Sequence, residues 1–155
     1  AGLIMLSTAF IIMGSLNVYT PGDAHISDMQ LKQLGSDALL MMDTPDYRHE
    51  KSTLRDIVEA VEAGGAGATT AIGNFKVEFE NQLKKGTGSA EIVDSIMYNA
   101  TIYYRDGNSI ENLELGDSDS EISRQPAIST GRLILIEDHW GAKKVYRVEV
   151  RLWRK

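Results

Sequence analysis

The sequence predicts an α+β fold, in which a long N-terminal hydrophobic helix precedes a small domain of amphipathic helices packed on a four-stranded antiparallel sheet. The first 22 residues contain no Asp, Glu, Lys, Arg or His. From there to residue 85, apolar side chains recur mostly at helical spacing, whereas from Asp94 onward they alternate with a period of two. A run of helices followed by a run of strands is typical of α+β domains.

The uncharged N-terminal segment, residues 1–22, is long enough to cross a membrane as a helix. At ~1.5 Å per residue, Gly2 to Tyr19 would extend roughly 27 Å, close to the ~30 Å of a bilayer core. A secretory signal peptide would need a basic region before the apolar run and a small-residue cleavage site after it. We therefore expect a processed chain that retains this segment, although removal of an initiator Met or a truncation would also leave Ala1 first.

Two positions interrupt the predicted N-terminal helix, and an amphipathic helix follows them. Pro21 lacks a backbone donor and kinks a helix, and Gly14 is a second weak point. Beyond them, Asp23 or Ser27 can act as the N-cap, and Asp43-Thr44-Pro45-Asp46 ends the helix. One apolar stripe results, formed by Ala24, Leu31, Leu34, Ala38 and Met41.

Two further helices are predicted before the sheet. Thr53 to Ala63 has helical apolar spacing and ends at Gly64-Gly65-Ala66-Gly67. This glycine run predicts a flexible linker, because a phosphate loop would need a following Lys-Ser/Thr. Residues 70–85 fit either a strand or a helix, and we favour a helix because its apolar set extends over more turns: Ile72, Phe75, Phe79 and Leu83.

Four strands follow, each with apolar and polar residues in alternation. Their predicted ranges are Ser95 to Arg105, Ile110 to Leu115, Ile128 to Glu137 and Val145 to Arg154. Tight turns at Asp106-Gly107-Asn108 and His139-Trp140-Gly141-Ala142 join the first pair and the last pair. We expect helices to cover one face of the sheet and charged side chains to stay exposed on the other.

Composition divides the 155 residues into an N-terminal helical part, residues 1–43, and a single outer domain, residues 44–155. The net charge of −6 lies entirely after residue 22. This acidic balance disfavours binding to nucleic acid through a basic face. The absence of cysteine excludes disulfides and thiolate metal sites.

No residue pattern indicates an enzyme, a metal site or a cofactor. The three histidines lie far apart at His25, His49 and His139. An acidic run resembles the start of a calcium loop, but its twelfth position is Ile128 instead of Glu, so we interpret Asp117, Asp119 and Glu121 as a solvated loop. There is neither a Gly-x-Ser-x-Gly motif nor a cysteine nucleophile.

Asn99-Ala100-Thr101 is the only N-x-S/T acceptor triplet in the chain. If the domain is extracellular and this face of the strand meets solvent, Asn99 is a candidate for N-glycosylation.

The whole layout resembles that of type IV pilin-like proteins, and most closely those of archaea, in which a class III signal is cut ahead of the hydrophobic segment. The segments that carry the resemblance are Leu34-Gly35-Ser36-Asp37-Ala38-Leu39, Met42-Asp43-Thr44-Pro45-Asp46, Tyr98-Asn99-Ala100-Thr101-Ile102-Tyr103-Tyr104-Arg105 and Tyr146-Arg147-Val148-Glu149-Val150-Arg151-Leu152-Trp153. Position 5 is Met5, where bacterial pilins carry a Glu nearby. Archaeal pilins generally lack that acid.

The resemblance implies a subunit of an extracellular filament that sits in the cell membrane before it assembles with identical copies, in adhesion or surface attachment. Its implied membrane and filament-core residues are Leu3, Ile4, Leu6, Phe10, Ile11, Ile12, Met13 and Leu16. Small residues at Gly2, Ser7, Ala9 and Gly14 would let neighbouring helices approach closely.

Two alternatives remain open from the sequence. The chain could be a single-pass membrane-anchored ectodomain, acting in adhesion or as an accessory or stator part of a surface appendage, that never polymerises. A membrane-anchored enzyme is a third reading, and it would require a catalytic cleft.

Overall fold

The computed structural model describes residues 27–116, 126–138 and 140–155. These residues form four helices followed by a single antiparallel sheet with the strand order β2-β1-β4-β3. The helices are α1 (Asp28–Met42), α2 (Thr53–Ala63), α3 (Gly65–Thr87) and α4 (Ala90–Asp94), and the strands are β1 (Ile96–Asp106), β2 (Ser109–Glu114), β3 (Ile128–Glu137) and β4 (Lys143–Arg154).

The described residues contain no long apolar N-terminal helix, and the predicted fold class that included it is wrong in that respect. The first helix of the described part begins at Asp28, behind the extended N-cap Ser27. The Ser27 hydroxyl accepts from the Gln30 N–H, and the Gln30 side chain accepts from the Ser27 N–H, at 3.2 and 2.9 Å. This capping box satisfies the first donors of α1, so the helix starts here instead of continuing an earlier one. Residues 1–26 lie outside the described residues.

None of the helices in the described ranges is long and apolar enough to span a membrane.

Helix α1 lies directly on strands β3 and β4. Gly35 makes this possible, because a Cβ there would stand 2.7 Å from Leu152 Cδ1 and 2.9 Å from Thr130 Cγ2. The predicted stripe is wrong at its end, since Met41 is 57% exposed. The buried positions are spaced three or four residues apart, as expected for one face of a helix, and they are Leu31, Gly35, Ala38, Leu39 and Met42.

Helices α2 and α3 meet at a sharp reversal. Gly64 and Gly65 have φ angles of 73° and 71°, which side chains rarely adopt. Helix α3 begins at Gly65 itself, so the predicted four-residue linker is reduced to Gly64. Farther along α3, the rings of Phe75 and Phe79 stack at 5.5 Å, and Phe79 contacts the Tyr98 ring of β1 at 4.8 Å. The helix therefore packs over the start of the sheet.

The two hairpins set the register of the sheet. A two-residue turn with Gly107 at φ 58° joins β1 to β2. At the β3–β4 turn, the Asp138 carboxylate accepts from the N–H groups of Trp140 and Ala142, both at 2.9 Å. The helices cover the face that carries Ala100, Ile102, Tyr146, Val148, Val150 and Leu152, all of them fully buried.

The opposite face of the sheet, which we call the outer face, has no helix over it in the described part of the chain. Its exposed residues include charged side chains, as expected, but also apolar ones. The strand register places on it Asn99, Tyr103, Arg105, Ile110, Leu133, Leu135, Val145, Arg147, Glu149 and Arg151.

Candidate functional site

A cleft of about 560 Å³ lies at the end of the sheet where β1 begins and β4 ends. Its walls come from α3, from both of those strands and from the residues that follow β2. Most of the lining is apolar, through Ile72, Ile96, Met97, Leu115 and Trp153. We call this region the apolar end of the body.

Charged side chains of α3 and β2 border the apolar lining of the cleft. Lys76, Glu80 and Glu114 contribute these groups. The Tyr98 hydroxyl donates to Glu80 Oε1 at 3.1 Å, which ties β1 to α3 across the cleft. On the helical wall, a Cβ added to Gly73 would meet no atom within 4 Å, so the cleft is open there.

Trp153 is the largest apolar side chain of the cleft. The register pairs it with Met97, which places both residues on the outer face of the sheet. Although that face is mostly open, Trp153 is only 7% exposed. The apolar end is thus the most enclosed part of the outer face.

Helix α1 begins close to this cleft. Arg154 Nη2 lies 2.9 Å from Asp28 Oδ1, at the first residue of α1. Arg154 directly follows Trp153 and pairs with Ile96. Trp153 and Ile96 both line the cleft. Both charges are exposed, so the ion pair adds little stability. The contact does show that α1 starts close to the apolar end.

The residues predicted to form the membrane and filament core all precede residue 27. Leu3, Ile4, Leu6, Phe10, Ile11, Ile12, Met13 and Leu16 therefore lie outside the described residues, as do the predicted helix interruptions at Gly14 and Pro21. The same holds for His25, His139 and the acidic run from Asp117 to Glu121. In the described ranges, no group of three or more His, Asp or Glu side chains could hold a metal ion.

Asn99 lies in the middle of β1 and pairs with Arg151 of β4 on the outer face. Its side chain is half-buried. The carboxamide oxygen has no hydrogen-bond partner among the described residues, and a Cβ on Gly116 would stand 3.8 Å from it. The strand face thus points outward, as glycosylation requires, while the carboxamide oxygen is turned into the protein.

Sequence reasoning missed two polar clusters. In the first, Asp43 at the end of α1 forms an ion pair with Arg132 of β3 and accepts from the Ser52 hydroxyl at 3.2 Å. Arg132 is 89 positions from Asp43 in the sequence, so no local sequence pattern predicts the contact. The cluster fastens α1 and α2 to one edge of the sheet.

The second cluster brings Lys144 of β4 against Glu62 of α2 and two tyrosine rings. Lys144 Nζ lies 3.1 Å from Glu62 Oε1, and 5.3 and 5.8 Å from the ring centroids of Tyr104 and Tyr146. The hydrogen bond to Glu62 raises the pKa of Lys144. Burial, with the Glu62 carboxylate nearby, raises the pKa of Tyr146 to about 12. The cluster joins α2 to the sheet and lies away from the cleft residues.

Comparisons with protein families, with curated proteins and with solved structures give no match in any of the three. A function for the chain therefore has to be inferred from its own residues.

Proposed function

We propose that the chain is a structural subunit of an extracellular pilus-like filament, in adhesion or surface attachment, which polymerises through the uncharged segment of residues 1–22. One observation carries the proposal. The described chain begins at Ser27, and Asp28 contacts Arg154 at the apolar end, where Ile72 and Met97 present half-buried apolar side chains to the cleft. The body therefore has an apolar cleft near its first described residue.

The charge distribution supports this function. Residues 1–22 carry no charged side chain, and the net charge of −6 belongs to the rest of the chain. Water disfavours exposed apolar area by about 25 cal/mol per Å². The segment therefore needs an apolar environment, which the membrane supplies before assembly and neighbouring subunits supply afterwards. The charged body stays in water throughout.

Identical subunits that meet through two different surfaces form a ring when the rotation between them closes, and an open helical polymer when it does not. The segment of one copy and the apolar end of another are two different surfaces of this kind. In the filament, neighbouring copies cover the apolar end. The subunit lies in the membrane only before it assembles. A membrane-anchored ectodomain would instead keep its segment in lipid permanently.

Electron microscopy of material sheared from the surface of cells that produce the chain separates these two functions. Ordered fibres that contain the chain, identified by an antibody against the body, are expected from a filament subunit. Recovery of the chain only from detergent-extracted membranes would contradict the proposal and favour the anchored ectodomain.

Phe10→Asp is expected to abolish fibre formation, because an unpaired carboxylate would have to enter an apolar filament centre. Fibre yield from sheared cells measures the effect, and the amount of full-length chain in the membrane controls for expression. Ile110→Asp is the matched control, since Ile110 is 75% exposed at the β1–β2 hairpin and pairs with Arg105, at the end of β1 opposite to the cleft. A normal fibre yield from Phe10→Asp would refute assembly through residues 1–22.

A further inference from the structure

Among the described strands, β2 and β3 are the two edges of the sheet, and they differ in how well they are protected against pairing with another strand. Strand β2 is six residues long and carries Glu111 and Glu114, both exposed. Charges on a short edge strand oppose pairing. Strand β3 is ten residues long, and its two charged residues are Arg132 and Glu137. Arg132 is already bound to Asp43.

The backbone groups that face the free edge of β3 follow from the hairpin. The Asp138 N–H donates to the Ala142 carbonyl at 2.9 Å, and this pair continues the register of Glu137 with Lys143. In an antiparallel ladder, hydrogen-bonded and non-hydrogen-bonded pairs alternate. Even-numbered residues of β3 therefore direct their N–H and C=O groups to β4, and odd-numbered residues direct theirs to the free edge.

Arg55 of α2 covers one part of this edge. Its guanidinium donates to the carbonyl oxygen of Leu135, an odd-numbered residue. The backbone groups of Ser129, Gly131 and Leu133 point the same way, and all three residues are exposed. Within the described part of the chain, β4 is the only strand that pairs with β3. The segment 129–133 is consequently an open template for another strand.

We propose that β3 pairs in antiparallel fashion with β3 of a second copy, about a two-fold axis at Gly131, to form a continuous eight-stranded sheet. Ser129 of each copy then lies opposite Leu133 of the other. On the helix-covered face, Ile128 lies opposite Ile134, and Thr130 lies opposite Arg132. Each copy supplies the backbone donors and acceptors that the other lacks.

This register is the one that the Arg55 contact and the bounds of β3 allow. A shift of one residue in the axis places Leu135 opposite Ser129 and requires the Leu135 carbonyl, which Arg55 occupies. A further shift places Leu133 opposite itself and again requires the Leu135 carbonyl. A shift in the other direction moves Leu133 opposite residue 127, outside the strand.

Gly131 has no side chain at the axis, so two copies can approach closely there. The Arg147 guanidinium of each copy lies across its own Gly131, with Nε 3.1 Å from the position of a Cβ. Arg147 is itself paired with Glu149 at 3.3 Å, so the outer face at the axis is not a bare positive patch. Beside the axis, Leu133 and Leu135 are 68% and 46% exposed and would lose water contact.

The dimer is independent of the proposed filament contact. It is a closed two-fold contact that uses the edge of the sheet, whereas the filament uses residues 1–22. Loss of either contact by mutation is expected to leave the other intact, so the two proposals fail separately.

The absence of cysteine in the chain allows a direct test by cross-linking of the full-length protein in detergent. The double variant Ser129→Cys, Leu133→Cys is expected to form inter-chain disulfides under mild oxidation, because the two positions face each other in the proposed register. The single variant Leu133→Cys is not expected to cross-link. Its two copies would lie four residues apart along the strands, about 13 Å, beyond the ~7 Å limit for a disulfide.

Absence of cross-linked dimer in the folded double variant would overturn the β3 contact. Efficient cross-linking of Leu133→Cys alone would overturn the proposed register. Circular dichroism confirms folding, which the exposure of both positions should preserve.

A second measurement uses sedimentation of the full-length chain in detergent over a range of concentrations. Leu133→Lys is expected to weaken dimerisation by about tenfold or more, because a charge is placed on the pairing edge. Val145→Lys is the matched control, since Val145 is 52% exposed on the same face but belongs to the inner strand β4. Equal effects of both lysines would show that the face, and not the edge, makes the contact, and would refute the pairing.

Discussion

At the scale of single residues, Gly35 and Gly73 lie in similar helical positions but in opposite surroundings, one packed against the sheet and the other open. Both lie in helix interiors, where glycine costs about 1 kcal/mol relative to alanine. Gly35 faces the sheet, and a Cβ there would come within 3 Å of two buried methyl groups. Gly73 faces the open cleft.

The two alanine substitutions are therefore expected to change stability in opposite directions. Gly73→Ala should raise the free energy of unfolding by about 0.5–1 kcal/mol through the lower entropy of the unfolded chain. Gly35→Ala should lower it, because overpacking costs about 1–3 kcal/mol and exceeds the helix-propensity gain. Urea denaturation of each variant beside the parent chain measures both effects, and a stabilising Gly35→Ala would show that α1 can move off the sheet at little cost.

Tyr146 makes stability depend on pH above neutrality. Its folded-state pKa of about 12 lies above the ordinary value of 10.0, because burial disfavours the phenolate. A group with a raised pKa stabilises the fold fully below the unfolded pKa and loses that contribution as pH rises through the folded pKa. The loss therefore falls between about pH 10 and 12.

Tyr146→Phe should remove this part of the alkaline loss, which amounts to roughly 2 to 3 kcal/mol. Urea denaturation from pH 9 to 12 measures the slope for both chains. Tyr47→Phe is the control, since Tyr47 is 86% exposed and its removal should leave the profile unchanged. An unaltered slope in Tyr146→Phe would mean that other groups cause the alkaline loss.

At the scale of elements, two serines begin helices in different surroundings. Ser27 caps α1 in an exposed capping box. Ser52 caps α2, accepting from the Arg55 N–H at 3.2 Å, and its hydroxyl also donates to Asp43, which follows α1 and is paired with Arg132 of β3. Ser52 is only 4% exposed.

Ser52→Ala should accordingly destabilise the fold more than Ser27→Ala. Loss of a helix cap costs about 1 kcal/mol, and Ser52→Ala also leaves Asp43 without one of its donors, for a total of about 2 kcal/mol. Thermal unfolding compares the two variants directly. A larger effect of Ser27→Ala would mean that the start of α1 matters more to the body than its end.

Residues 70–85 show where a local pattern decides between helix and strand and where it does not. Phe75, Val77 and Phe79 alternate like a strand, yet Val77 is 61% exposed while both phenylalanines are fully buried. The helix buries Ala71, Phe75, Phe79 and Leu83 on one face. The longer apolar set predicted the element correctly, and Val77 belongs to the solvent side.

The ends of the elements were predicted less accurately from the sequence than the elements themselves. The start of α1 had two candidate caps in the sequence, and the reciprocal Ser27–Gln30 contacts identify Ser27. The bounds of β3 coincide with the prediction. The glycine run after α2 was predicted as a linker, but α3 packs against α1 and α2 and extends its helix back to Gly65.

At the scale of the whole molecule, the body presents two surfaces with different geometry. The apolar end lies close to the start of α1, at Trp153. The open edge lies along β3, between Ser129 and Leu133. A filament contact at the first and a two-fold contact at the second would allow a subunit to lie in one fibre and pair with a subunit of another.

The sequence by itself determined the separation of an uncharged segment from an acidic body, the change of apolar period near Asp94 and most element ranges. These properties depend on residues close together in the sequence, because the helical and strand periods repeat every few positions. Only the tertiary structure decided which strand edge stays open, where the cleft lies and which distant charges meet. The Arg154–Asp28 and Arg55–Leu135 contacts join residues 126 and 80 positions apart, so they depend on strand order and helix placement.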